Sequence, residues 1–404
     1  YLAKRFILVI FKVNYNTLAM KIRLLIFAFV VTIATDTFSQ EITYFPERQA
    51  NWEEKTPKEF NVNPQLLKEA IQYANDNEYS GSRDLRIATL KGFAREPFHE
   101  ISGPTKKRGG PAGVILKDGY IVAKWGDVKR VDMTFSVTKS FLSTVAGLAY
   151  DNKLIASTND KLSNYVWDGT FRGNHNSKIT WEHLLQQNSD WSGELWGGKD
   201  WADRPPRKGN IDDWKFRELK EPGTVMEYND VRVNVLAYSL THVWRQPVPQ
   251  VLKELIMDPI GASTTWRWFG YDNAWTVIDG IKMKSVTGGG HSGGGIFISA
   301  EDMARFGLLF LNNGKWKNKQ LISESWIEKA TTPSQPNANY GYMWWLNKKG
   351  SKHWEGLSEN IYYAAGFGGN FIVIDKEKNL VVVTRWLEPS KIDEFMTKVD
   401  KSLN

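Results

Sequence analysis

The sequence predicts an α/β protein in which an antiparallel sheet, flanked by helices, carries a mostly helical inserted domain. Two observations predict it: apolar runs paired around turn residues stand near both ends, and helical periodicity fills the stretch between them. The strands of one sheet must then come from distant parts of the chain and enclose the insertion. The 404 residues suffice for one large domain or two ordinary ones, and 42% hydrophobic with 24% charged side chains is a globular balance. There is no Cys, which removes disulfides, thiolate metal sites and cysteine nucleophiles.

Each element has its own signal. From Pro64 to Asn75, Leu66, Leu67, Ala70, Ile71 and Ala74 recur with a helical period. A Gly, Pro and Lys-rich loop occupies 95–111. Asp118-Gly119 separates the apolar runs Ala112–Leu116 and Tyr120–Ala123, a strong hairpin signal because both turn positions favour positive φ. Helical patterns follow at Phe141–Tyr150, Trp181–Gln187, Val233–Val243, Val248–Ile256 and Ala300–Leu311. A second hairpin pairs Asn370–Ile374 with Leu380–Thr384, and Lys391–Leu403 reads as a terminal helix. The expected division is a sheet domain from 41–135 and 286–404, with a mainly helical domain at 136–285.

Residues 1–40 stand apart. Lys4, Arg5, Lys12, Lys21 and Arg23 oppose Asp36 alone, so most of the net +7 lies there. Met20 to Arg23 is a charged start, Leu24 to Ala34 an apolar run, and small and polar residues follow to Gln40. That order describes a secretory signal peptide behind upstream read-through, with a retained anchor as the alternative. The run is too short for a comfortable span of about twenty residues. A periplasmic or secreted protein is expected, touching the membrane only through this segment. The mild charge of the remainder predicts no nucleic-acid partner.

Chemistry points first to Ser136 and Lys139. Three residues apart at a helix start, they share one face, and a lysine can serve as the base a serine nucleophile requires. Tyr228, delivered by Glu221-Pro222-Gly223-Thr224 and followed by Asn229-Asp230, is a second candidate; Tyr271 is a competitor, whereas Tyr73 sits on an ordinary helix. The third is Tyr363-Ala364-Ala365-Gly366-Phe367-Gly368-Gly369-Asn370, whose small residues let a substrate approach backbone N–H groups.

Taken in order, Ser136-Val137-Thr138-Lys139, Tyr228-Asn229-Asp230 and the glycine-rich strand resemble serine β-lactamase-related hydrolases. That family includes class C β-lactamases, D-alanyl-D-alanine carboxypeptidases, esterases and 6-aminohexanoate-dimer hydrolases. Ile179–Leu185, Gly293-Gly294-Gly295-Ile296, Ser299–Phe306 and Tyr340–Trp345 are similar too, so the likeness runs from about 60 to 390. It implies a β-lactamase/transpeptidase-like fold, Ser136 as the acylated nucleophile and Lys139 as its proton partner. It also implies Tyr228 as proton shuttle, favoured over Tyr271 by its Pro-Gly-Thr lead-in. The oxyanion hole would be formed by backbone N–H groups of Ser136 and the Ala365–Gly366 strand.

Two departures bear on substrate. The family's Tyr-X-Asn ends here in Asp230, and no Lys-Thr-Gly precedes Gly366. Without that lysine, and with a carboxylate in its vicinity, anionic β-lactams are poor substrates on charge grounds, and a small ester, amide or peptide lacking that carboxylate is expected. A D-amino-acid peptidase and a non-catalytic binding protein are the rival readings. Most Trp of the insertion should be core, but Trp191 and Trp196 flank a polar, Gly-containing stretch and are expected to meet substrate, as are Asp230, His291 and Phe367. The six His show no ligand spacing and no phosphate loop occurs, so neither metal nor nucleotide cofactor is expected.

Overall fold

Asp118 and Gly119 adopt φ of +52° and +87°, the positive pair that a two-residue hairpin demands. They join β1 (Ala112–Lys117) to β2 (Tyr120–Trp125). The structure, a computed structural model, describes residues 44–48, 51–350 and 353–403; the expectations for residues 1–40 lie outside these. Toward the other end are β3 (Trp345–Leu346), β4 (Tyr362–Gly366), β5 (Asn370–Asp375) and β6 (Leu380–Arg385). The sheet runs β3-β4-β5-β6-β1-β2, and every neighbouring pair is antiparallel. Val114 lies opposite Val383 where the two predicted hairpins meet, so the sheet closes residues 112–125 onto 370–385.

Side chains alternate across this sheet with period two. Val114, Leu116, Ile372, Ile374, Val381 and Val383 enter the main core, whereas Ile115, Phe371, Val373 and Val382 enter a second core on the opposite face. Five helices frame the sheet and the site: α1 (Pro64–Asp76), α2 (Thr138–Asp151), α3 (Asp230–Trp244), α4 (Ala300–Leu311) and α5 (Ile392–Ser402). Asn63 caps α1 by accepting from the Gln65 and Leu66 N–H groups, and Leu67, Ala70 and Ala74 form its buried face. With Phe395, Met396 and Val399 of α5 they cover one side of the sheet. α2, α3 and α4 lie in the core on the other. Among the described residues, no helix is long and apolar enough to cross a membrane.

Helix α4 has the predicted bounds, while α2 starts three residues earlier than its apolar pattern shows. A single 3-10 turn, Phe135–Val137, leads straight into it. The Val248–Ile256 pattern forms an α-helix only to Leu252 and continues as a π turn, Lys253–Met257. A small antiparallel sheet of Asp132–Met133, Gly295–Ile298 and Arg267–Phe269 had no clear sequence signal. It aims the chain at Ser136.

Candidate active site

Phe135, just before Ser136, has φ +48°. A bulky residue there costs about 1–2 kcal/mol, and burial against Phe367, with ring centroids 5.1 Å apart, holds it in place. The turn positions Ser136 one residue ahead of the 3-10 to α2 junction, so Lys139 lies on the same side of the helix start. Lys139 Nζ is 2.8 Å from Ser136 Oγ. Gly366 of β4 comes so close that a Cβ would lie 3.3 Å from the Ser136 nitrogen and overlap the Thr134 carbonyl. Only glycine lets the strand end pack against the Ser136 backbone.

The second motif is placed by a helix cap. Asn229 accepts from the Arg232 N–H and its own N–H donates to Gln187 Oε1, which leaves Asp230 as the first residue of α3, where the helix end favours a carboxylate. Asp230 Oδ1 is 2.5 Å from Lys139 Nζ, and both side chains are buried. Tyr228, before the cap, faces Lys139, whose Nζ is 4.7 Å from the ring centroid. Tyr228 stacks on Trp345 with ring centroids 5.9 Å apart.

Around Asp230 is an ionic cluster drawn from three distant segments. Arg204 Nη2 is 2.6 Å from Asp230 Oδ2 and Arg204 Nη1 is 2.5 Å from Asp203 Oδ1. The Asp230 N–H donates to the Asp203 carboxylate. His291 Nε2 donates to Glu96 Oε2 at 2.5 Å, and His291 Nδ1 is 3.3 Å from Asp230 Oδ2. Burial alone would raise the Asp230 carboxyl, but Lys139, Arg204 and His291 hold it well below the usual carboxylate range. Burial likewise opposes the Lys139 charge; Asp230 foremost overcomes this and keeps the ammonium, with Arg204 acting against it.

Ser136, Tyr228, Asp230, Arg204 and His291 line a cleft of 590 Å³ whose walls include Tyr79, Phe93, Trp345, Trp354 and Phe367. A serine hydroxyl, a lysine at hydrogen-bond distance and a phenol thus meet at one end of an aromatic cavity, the parts list for acyl transfer. The description "Beta-lactamase" names the family model that matches residues 105–386. The chain belongs to this Beta-lactamase family.

As a member of the Beta-lactamase family the chain is a serine hydrolase, and its antiparallel sheet and helices are the β-lactamase/transpeptidase fold. It is 21% identical over 375 residues to a Salmonella paratyphi B protein provisionally named a D-alanyl-D-alanine carboxypeptidase, covering 72% of this chain and 83% of that one. It is 30% identical over 112 residues to an N-acetylmuramyl-L-alanine amidase of Bacillus subtilis, a match that spans only 23% of that protein. Two of the solved structures that share the fold illustrate the likeness. One is provisionally named a 6-aminohexanoate-dimer hydrolase, from Bacillus anthracis (TM-score 0.56, 17% identity, 89% of each chain). The other is a family VIII carboxylesterase (TM-score 0.56, 15% identity, 87% of this chain and 100% of that one).

The structure brings Ser136, Lys139, Tyr228, Asp230, His291, Gly366 and Phe367 together, with Ala365 at the cleft wall. Two expected substrate contacts lie elsewhere. Trp191 is 3% exposed and donates its indole N–H to the Thr170 carbonyl, so its ring packs inward although Ser192 and Gly193 beside it form an irregular, partly exposed stretch. Trp196 packs on Tyr238 and lines a separate cavity. Tyr271 lines that same cavity; burial foremost pushes its phenol up to about 12. Sequence reading missed Glu96, Asp203 and Arg204. Glu96, Asp203 and His291 are all buried, with ligand atoms within 4.8 Å of one another. Such a trio could hold a cation, and it already faces one in Arg204.

Burial disfavours protonated His291, and the Arg204 guanidinium opposes it as well, yet Asp203, Asp230 and Glu96 push its pKa from 6.5 up to about 9. The sign follows from linkage. A raised folded-state value stabilises the fold fully below the unfolded pKa, and the gain is lost as pH rises through the folded one. Thermal stability should therefore fall between pH 6.5 and about 9, and this slope should flatten in His291→Gln. Melting curves across that range check it; an unchanged slope in the variant would assign the loss to another group.

Proposed function

We propose that this protein is an exported serine hydrolase that cleaves a neutral ester or amide through a Ser136 acyl-enzyme. The observation that carries the reading is the 2.8 Å approach of Lys139 Nζ to Ser136 Oγ at the foot of the aromatic cleft. Asp230 holds Lys139 as an ammonium that donates to Oγ, so the proton of Ser136 passes to Tyr228, which acts as the phenolate beside the Lys139 and Arg204 cations. Oγ attacks the carbonyl carbon, and the backbone N–H of Ser136 with one from the Ala365–Gly366 strand stabilises the oxyanion. The C–O or C–N bond then breaks, and the leaving alcohol or amine takes the proton from Tyr228. Water, activated in the same way, releases the acid and restores Ser136. The names of relatives, a carboxylesterase, an amide hydrolase and a carboxypeptidase, support acyl transfer as the chemistry. The charged start and apolar run before residue 41 support export.

The cleft also narrows the substrate. Its cationic lining groups, Arg204 and His291, are each bonded to carboxylates, and the lysine that would meet a substrate carboxylate is missing from the strand. Aromatic walls and balanced charge suit an uncharged acyl or aryl group. Neutral p-nitrophenyl esters should be cleaved with kcat/KM on the order of 10²-fold above the matching esters bearing a free acyl carboxylate. Equal rates, or preference for the anion, would reinstate the β-lactamase or peptidase reading.

A further inference from the structure

The family motif places an amide where this chain has Asp230, and a bare carboxylate beside Lys139 would disturb the proton transfers that acylation requires. The structure supplies the compensation. Lys139 and Arg204 meet the two oxygens of Asp230, Arg204 also meets Asp203, and His291 links Asp230 to Glu96, in one contiguous cluster. We infer that Arg204 is a positioning residue that clamps Asp230 and neutralises it, so that Asp230 and Arg204 act as a unit where relatives use an amide. The inference rests on the acyl-enzyme reading for its kinetic consequences.

Three observations make the clamp necessary. Asp230 and His291 form a shared wall: they line the catalytic cleft on one side and a second cavity of 290 Å³ on the other. Asp230 separates the two cavities, and its Oδ2 atom, which Lys139 does not meet, is approached by Arg204 Nη2 at 2.6 Å and by His291 Nδ1 at 3.3 Å. Arg204 is itself gripped from behind, since its Nη1 bonds Asp203 and its backbone N–H donates to Glu96 Oε1 at 3.2 Å. Finally, the guanidinium is 5.1 Å from the Tyr228 ring centroid, and its side chain, 32% exposed, lines the cleft. The other groups that feel the Asp230 charge are Tyr271, across the second cavity, and Tyr340, behind Tyr228.

Losing Arg204 leaves an uncompensated anion beside Tyr228 and Lys139, which favours their protonated forms. Losing Asp230 leaves an uncompensated cation. Removing both restores the balance. The test is kcat/KM against pH, on a neutral aryl ester that the wild type cleaves, for Arg204→Gln, Arg204→Lys, Asp230→Asn and the Asp230→Asn/Arg204→Gln double variant. Each neutralising single variant should lose roughly 10–10²-fold, and the double should recover to within about tenfold of wild type. The acid limb should move to higher pH in Arg204→Gln, stay in place in Arg204→Lys and return in the double. Multiplied losses in the double, or an acid limb unmoved in Arg204→Gln, would overturn the inference. If Arg204→Gln does not fold, the double is compared with Asp230→Asn alone, and a double no better than the single overturns it. If the wild type neither turns over esters nor is labelled at Ser136, the acyl-enzyme reading fails on its own. The clamp is then read from the nitrogen NMR titration of Lys139. Its pKa should rise in Arg204→Gln and fall back in the double, and a constant value would contradict the clamp.

Discussion

Ser136→Ala should lower kcat by about 10⁵-fold or more while leaving the melting temperature close to that of wild type. Removing the nucleophile of a serine hydrolase costs on the order of 10⁶ in kcat, because the remaining oxyanion donors act on a water that no longer has a covalent path. The fold should tolerate the change. Ser136 sits at the cleft, its hydroxyl bonded to Lys139, and Lys139 retains Asp230 as partner. Steady-state hydrolysis of a neutral ester with a melting curve checks both halves. Turnover within about tenfold of wild type would remove Ser136 from the mechanism.

Gly289→Ala should be the most damaging change that replaces no polar side chain. A Cβ at this position would overlap both Asp230 Oδ1 and Lys139 Nζ, the two atoms of the pair that orders the Ser136 proton partner. Gly289 does not have a positive φ, so the demand for glycine here is one of space alone. Overpacking costs about 1–3 kcal/mol, and a shift of roughly 1 Å in the Lys139–Asp230 pair is enough to cost about 10²-fold in rate. The variant should stay folded with kcat/KM down by about 10²-fold or more. Ester kinetics beside denaturant unfolding check this, and a rate loss no larger than the stability loss implies would refute the placement.

Much of this was legible because local rules and global fold agree. Asp118-Gly119 marks its hairpin by backbone conformation alone, and the apolar period of α4 gives its bounds. Ser136 and Lys139 are near in sequence, so their meeting needs only a helix start. The cluster around Asp230 was not legible. Glu96, Asp203 and His291 lie about a hundred residues apart, and Arg204 stands in an irregular Pro-containing stretch with no periodicity to assign it a face. Trp191 shows the opposite error. Its Ser and Gly neighbours suggest an open loop, yet its indole N–H finds the Thr170 carbonyl in the interior, as a buried tryptophan must. Polar neighbours identify the loop but do not say which way its tryptophan points.

The most direct test of the central claim is the intact mass of the protein after exposure to a fluorophosphonate, with peptide mapping of the adduct. An activated serine next to Lys139 predicts one adduct, located at Ser136 and absent from Ser136→Ala. A folded protein that stays unlabelled, or carries the adduct on a different residue, would contradict the claim that Ser136 is the nucleophile.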